Sequence, residues 1–328
     1  MSLYKRLRKS LDNPQMVKFV LKRRVLPVLK AMKRGHLSLL KGSQVLLEEL
    51  TGLKIYMRYL SWKSEKGLLL RSIQGSKMFL DPSDPGISRD LLIYGIREET
   101  ASQAFQKELR ALLKETEGKV VVLELGANIG YYALMEAKVL GNRSKILAFE
   151  PDVNNINLLR ANIAINGYND LFNVKHAAVG GEDGKAILAL SNHSNLHRIL
   201  PNGHYLKKNT DSGYKVEVEM YTVKTILAQH NIQNIDVNVI RMDVEGYEAH
   251  IFRGMEELIE SAGKLLIFLE LHCHILDVES RNYILSTLKR GGFHVVSRSS
   301  QGGELLEIAS LDDLYQYQKS IRLIVKNY

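Results

Sequence analysis

The stretch VVVLELGANIGYYALMEA, residues 120 to 137, runs from an apolar segment into a knot of small residues and on into a helical pattern. A continuous apolar run closed by glycine reads as a buried strand, and the spacing beyond it as a helix. Gly126 permits a tight turn where the strand ends at Leu125, and Gly130 lets the helix approach the sheet closely. A dinucleotide site needs glycines at the first, third and sixth positions of such a turn. Counted from Gly126, those positions hold Gly126, Asn128 and Tyr131. Two fail, and Tyr131 and Tyr132 fill the first helical turn where a pyrophosphate needs room. A cofactor without phosphate fits better.

Working outward, strand and helix patterns alternate from Gly118 to the C-terminus. Strands are expected near 119–125, 145–150, 171–177, 235–242, 264–271, 293–298 and 320–327, with helices near 129–140, 152–166, 246–261 and 278–290. That alternation specifies an α/β fold with a doubly wound parallel sheet whose ligands lie at the carboxyl ends of the strands. Residues 180 to 220 interrupt it; KAILAL and KVEVEM predict an inserted hairpin with a long loop. Upstream, a helix is expected from Glu99 to Thr116, and short strands over Lys54 to Leu60, Gly67 to Ile73 and Ser76 to Leu80. The domains read as a basic helical arm (1–42), an accessory region covering the active site (43–117) and a catalytic domain (118–328).

Composition sets the class. A chain of 328 residues, 45% apolar, has ample material for a core. Cys273 is the lone cysteine and cannot form an internal bridge. No apolar stretch approaches the roughly 20 residues of a membrane span, so a cytoplasmic protein is expected. The net charge of +9 is local, because residues 1 to 42 carry twelve Lys and Arg against Asp12 alone and the remainder sums to −2. The charge therefore does not point to a nucleic-acid-binding surface. The arm also spaces Leu3, Leu7, Leu11, Phe19, Val20, Leu26 and Leu29 in a near-helical pattern. It fits either a helix docked on an anionic inner-membrane face or partner, or a solvated helix packed on its own domain.

The second strand ends ILAFEP, and Glu150 at its tip can accept both hydroxyls of a ribose. An acidic-x-Gly-x-x-x-Gly turn followed by such a carboxylate suits S-adenosylmethionine, with anionic Glu124 near the amino-acid end. Six motifs extend the pattern: GSKMFLDPSDPGISRDLLIYGIREE (75–99), VVLELGANIGYYALMEA (121–137), ILAFEPDVNNINLLRANIAINGY (146–168), HAAVG (176–180), IRMDVEGYEAHIFRGM (240–255) and IFLELH (267–272). On these motifs the chain resembles the FkbM-type class I methyltransferases over roughly residues 75 to 297. The resemblance implies a Rossmann-like seven-stranded sheet with its last strand antiparallel, S-adenosylmethionine as donor, and a hydroxyl or carboxyl oxygen as acceptor, often on a sugar or polyketide. It places Glu124, Gly126, Asn128, Gly130 and Glu150 around the cofactor, Asp243, Glu245 and Gly246 after the fourth strand, and Glu270 and His272 at the fifth. Glu124 departs from the family's usual Asp, and Lys224 stands where the family commonly has an Asp.

Within FLELH, Glu270 and His272 share a strand face, as do Asp243 and Glu245 in RMDVEG if the strand persists. His272 is read as the general base for a hydroxyl acceptor, with Glu270 or Asp243 orienting it; a carboxylate acceptor needs no base. Acceptor contacts are expected from Ser88, Arg89, Tyr94, Arg97 and Glu98, from Asn192, His193, Asn195 and His197 in the insertion, and from Glu245, which also fits a helix cap. Asp243, Glu245, Glu270, His272 and His274 could gather metal ligands. The His-x-His pair falls where the strand is ending and no further His completes a set, so no metal is assigned. The function expected is O-methylation of a glycan or glycoconjugate; a small secondary metabolite as acceptor, or a binding protein that has lost catalysis, are the alternatives.

Overall fold

Strands buried on both faces read as near-continuous apolar runs, and Val120–Leu125, Val237–Met242 and Leu266–Leu271 are buried throughout, with Glu124, Asn238, Arg241 and Glu270 as their polar residues. The computed structural model describes residues 18, 20–51, 56, 57, 59, 60, 67–200, 211–300, 303–305, 310–315 and 317–328. The start of the basic arm and the insertion tip at 201–210 lie outside the described residues. The chain divides into two compact units, Met1–Arg97 and Glu98–Tyr328.

The first unit contains the helices Leu26–Lys33, Leu39–Thr51 and Ile87–Tyr94 and an antiparallel hairpin of β1 (Leu69–Ile73) and β2 (Ser76–Leu80). The strand expected over Lys54 to Leu60 is corrected. Tyr56, Met57, Tyr59 and Leu60 are helical, and the rest of that segment lies outside the described residues. The buried residues Tyr56, Met57 and Leu60 follow helical spacing, and the buried Glu48 carboxylate accepts from the Tyr56 N–H at 2.8 Å. An orphan donor of a helical segment is satisfied in this way.

The second unit is built on a seven-stranded sheet. In chain order its strands are β3 (Val120–Leu125), β4 (Ser144–Phe149), β5 (Phe172–Lys175), β10 (Val237–Met242), β11 (Leu266–Leu271), β12 (His294–Ser300) and β13 (Ile321–Lys326). The spatial order is β12-β13-β11-β10-β3-β4-β5. β13 runs antiparallel to both β11 and β12, while β11, β10, β3, β4 and β5 are parallel neighbours. This is the expected Rossmann-like methyltransferase sheet with its last strand reversed. The chain reverses its winding direction between β3 and β10, so the carboxyl ends of those strands border the crevice in which open α/β sheets bind ligands.

The expected hairpin is part of a four-stranded sheet, in which β7 (Gly184–Ser191) pairs antiparallel with β9 (Asp211–Thr222), flanked by β6 (Ala178–Gly180) and β8 (Arg198–Leu200). The helix expected over 246–261 is two, Glu248–Gly254 and Glu256–Ser261, broken at Met255. Helix Glu99–Glu115 belongs to the second unit.

Candidate active site at the carboxyl edge of the sheet

The glycine turn is held by backbone geometry. Gly126 has φ +82°, and both Gly126 N–H and Ala127 N–H donate to the Phe149 carbonyl at 3.0 and 2.9 Å. A Cβ on Gly126 would lie 2.2 Å from the Asp243 carbonyl oxygen, so β3 and β10 meet here with no room for a side chain. Gly130 has φ +93°, and its Cβ would meet the Leu159 methyl at 2.7 Å. Asn128, between them, is also left-handed at φ +49°, a conformation asparagine tolerates better than most residues.

Glu150, at the tip of β4, faces this turn. Its Oε2 accepts from Asn128 N–H at 2.8 Å, and its Oε1 accepts from Asp152 N–H at 2.9 Å and Asn155 Nδ2 at 3.4 Å. Burial lifts this carboxyl to about 7 against the pull of those donors. Asp152 caps the next helix, accepting from the N–H groups of Asn154 and Asn155. The insertion reaches the same place, since the Ser194 carbonyl accepts from Asn128 Nδ2 and Asn155 Nδ2, each at 2.9 Å. The neighbouring Asn195 has a buried Oδ1 with no hydrogen-bond partner among the described residues.

The register then lines up charges across the sheet. Arg241 on β10 stands beside Glu124 on β3, and Arg322 on β13 opposite Glu270 on β11. Arg241 pairs with Glu124 at 3.2 Å and with Asp243 at 2.9 Å, and lies 4.5 Å over the Tyr132 ring. Arg322 pairs with Glu270 at 3.1 Å and with Glu98 at 2.9 Å, and Glu98 in turn accepts from Tyr132 Oη at 2.7 Å. Burial raises Glu124 to about 7, opposed by Arg241, and raises the adjacent Glu136 as well. Glu124 is 0% exposed. From that position it braces Arg241 at the end of β3.

Beyond the strand ends, His272 is the centre of a carboxylate cluster. Its side chain is 3% exposed; Nδ1 donates to Glu248 Oε1 at 2.6 Å, while Nε2 lies 3.4 Å from Glu245 Oε2 and 4.0 Å from Glu270 Oε1. Burial alone would lower this imidazole, but the Glu248 carboxylate, with Glu245 and Asp243 behind it, raises it to about 10. Glu248 thereby fixes the orientation of the ring and leaves Nε2 facing Glu245. The orienting partner of His272 is Glu248, not Glu270 or Asp243. Burial also raises Glu245 to about 8 and Glu270 to about 7.

The structure thus gathers Asp243, Glu245, Glu270, His272 and Glu98 at one end of the sheet, and Gly126, Asn128, Gly130, Glu150 and Asn195 around the turn. Arg89 belongs to the first unit, where it pairs with Glu49 at 2.5 Å. His274 turns aside, with Nδ1 2.7 Å from Ser320 Oγ. Sequence reasoning missed Arg241, Glu248, Arg322 and Asn155.

Comparison with known proteins adds the following. The family model for the methyltransferase FkbM domain matches residues 124–295, just over half of the chain. Hexuronic acid methyltransferase AglP of Haloferax volcanii is 25% identical over 187 residues, which is 56% of this chain and 69% of that protein. Among solved structures, methyltransferase FkbM from Methylobacillus flagellatus KT aligns with a TM-score of 0.41 and 14% identity. The alignment covers 92% of this chain and 59% of that one, so the chain spans less than two thirds of its length. The SAM-dependent methyltransferase from Agrobacterium tumefaciens aligns with a TM-score of 0.40 and 9% identity, covering 79% and 69% of the two chains.

Proposed function

Since the chain belongs to the FkbM methyltransferase family, we propose that it transfers a methyl group from S-adenosylmethionine to an oxygen of a glycan acceptor carrying a sugar acid. The observation that carries the cofactor reading is the Glu150 carboxylate lying 2.8 Å from Asn128 N–H inside the glycine turn. A dinucleotide phosphate needs that N–H, and here a carboxylate holds it and repels an anion. With three donors already on it, the same carboxylate retains about one lone-pair site for a ribose hydroxyl. Gly126, Asn128 and Gly130 shape the turn around it, and Asn195 Oδ1 supplies a further acceptor that has no partner among the described residues.

Bound there, S-adenosylmethionine supplies an electrophilic methyl group for in-line displacement, in which positioning accounts for much of the acceleration. The cationic cofactor suits an edge rich in Asp243, Glu245 and Glu270. Arg322 and Tyr132 fix Glu98, and Arg241 fixes Asp243, so the groups facing the acceptor are held before it binds. A carboxylate acceptor needs no base. The named activity of AglP supports a sugar-acid acceptor.

Calorimetry with S-adenosylhomocysteine tests this reading. A protonated Glu150 loses a charge and an acceptor site, so binding weakens as pH falls through about 7. The dissociation constant should be about tenfold higher at pH 6 than at pH 8, and Glu150→Gln should flatten that dependence. Absence of binding at either pH rejects the cofactor. Methyl transfer to a hexuronic-acid-bearing oligosaccharide, and not to the same chain with neutral sugars, tests the acceptor.

We further propose that the first unit rests on an anionic membrane face. Helix Leu26–Lys33 exposes Leu26 and Leu29 beside Lys30 and Lys33, and helix Leu39–Thr51 exposes Leu39, Leu40, Leu47 and Leu50. Exposed leucines next to lysines favour the interface between water and an acidic bilayer. Among the described residues no helix is long and apolar enough to cross a membrane. The full chain should float with phosphatidylserine-containing vesicles at 0.1 M salt and release at 0.5 M; equal binding to neutral vesicles would reject the proposal.

A further inference from the structure

We propose that Asp243, Glu245 and His272 form a binding site for a divalent metal ion. One ligand atom from each lies within 4.8 Å of the other two, a spread that metal–ligand bonds of about 2.0–2.4 Å can close upon. The set mixes two carboxylate oxygens with an imidazole nitrogen, which suits a first-row ion such as Mn2+. Three protein ligands leave coordination positions for oxygens of an acceptor.

Three observations separate this cluster from an ordinary group of acids. First, Glu248 is 0% exposed and its Oε1 lies 2.6 Å from His272 Nδ1. Metal-ligating histidines are oriented by a carboxylate on the far ring nitrogen in this way, leaving Nε2 to the ion. That nitrogen points toward Glu245, 3.4 Å away. Second, Asp243 Oδ1 and Glu248 Oε2 are buried with no hydrogen-bond partner among the described residues. Arg241 holds only the other oxygen of Asp243. Third, positive charge is short. Arg241 is shared between Glu124 and Asp243, and Arg322 between Glu98 and Glu270. Among the described residues, the only basic side chain paired with Glu245 or Glu248 is His272.

Backbone geometry fixes the cluster. Glu245 adopts φ +52°, and Gly246 follows at φ +101°, where a Cβ would meet Ile275 at 2.6 Å. Gly246 N–H donates to Glu248 Oε1 at 3.0 Å, which ties the turn carrying Glu245 to the carboxylate that orients His272. Residues from two strand ends and one turn are thereby set around a single point. Ion binding itself does not depend on the methyl-transfer reading.

The test uses the full chain, stripped with chelator and titrated with Mn2+ while free ion is followed by electron paramagnetic resonance. One Mn2+ per chain is expected, and pulsed spectra of the bound ion should show coupling to one imidazole nitrogen. Glu245→Gln and His272→Gln should each weaken binding at least tenfold, Glu248→Gln by about 10- to 100-fold through the lost orientation of His272, and Glu257→Gln, at an exposed position of helix Glu256–Ser261, not at all. Wild-type protein that binds no stoichiometric Mn2+, or binds it without nitrogen coupling, overturns the proposal whatever the variants do. S-adenosylhomocysteine binding, run alongside, separates the two readings: binding of the nucleoside with no Mn2+ sinks only the metal, and the reverse sinks only the cofactor.

Discussion

Glu150→Ala is expected to raise the dissociation constant for S-adenosylhomocysteine by at least about tenfold. The estimate follows from what the carboxylate offers and what replaces it. A hydrogen bond from a ribose hydroxyl to the remaining acceptor site of an ionised carboxylate contributes about 1.5–3 kcal/mol, so losing it gives a factor of at least about ten. The side chain has no latitude to be substituted from nearby, because its position is set by three donors, Asn128 N–H, Asp152 N–H and Asn155 Nδ2. Alanine also leaves those donors unpaired, which adds a stability cost of about 1–3 kcal/mol where water does not enter. Glu150→Gln keeps the volume, yet whichever way its amide points, the Nε2 group meets a backbone N–H of Asn128 or Asp152. It should therefore lose part of the binding and lower the melting temperature slightly. Calorimetry on both variants, with melting curves to exclude unfolding, decides the matter. An alanine variant that melts like wild type and binds within threefold of it would remove Glu150 from the cofactor site.

The residues around Glu150 were legible in the sequence and those around His272 only half so, for a physical reason. Strands buried on both faces write themselves as apolar runs, so VVVLEL, KILAF and LIFLEL announce their elements and their carboxyl ends. The turn after the first of them is local, and local chemistry is readable. Arg241, Glu124 and Glu270 each stand as a lone charge in a buried strand, and Arg322 is the buried charge of β13. That signal could have flagged them, but pairing them requires the sheet order, in which β3 neighbours β10 and β13 lies against β11. Glu248 carried no signal of its own, being one acid in GYEAHIF at the start of a helix that many acids would suit. Its place beside His272 arises because Gly246 turns the chain back toward β11. The three-residue strands β6 and β8 are too short to establish a period, so the insertion read as a hairpin where a four-stranded sheet exists.

Gly126→Ala should be the most damaging single methyl group that can be added to the second unit, and its effect can be divided into two parts. The first is conformational: φ +82° costs an L-residue about 1–2 kcal/mol, offset in part by the smaller entropy of the unfolded chain. Gly118→Ala isolates this part, since Gly118 has φ +74° and open space where its Cβ would go. The second is steric. The Cβ would stand 2.2 Å from the Asp243 carbonyl oxygen, a backbone atom that cannot rotate away. Relief requires β10 to slide from β3, which stretches the Asp243 N–H to Leu125 carbonyl bond of 3.2 Å and drags Asp243 from Arg241. Together these should cost about 3 kcal/mol or more, which for a domain of this size lowers the melting temperature by about 6 °C or more. Gly130→Ala should fall between the two controls, because its Cβ meets only the terminal methyl of Leu159 at 2.7 Å and that side chain can move. Thermal unfolding of the three variants gives the order directly. If Gly126→Ala and Gly118→Ala lowered the transition equally, the close approach of β3 and β10 at Asp243 would not exist, and the registration of Glu124, Arg241 and Asp243 that depends on it would have to be redrawn.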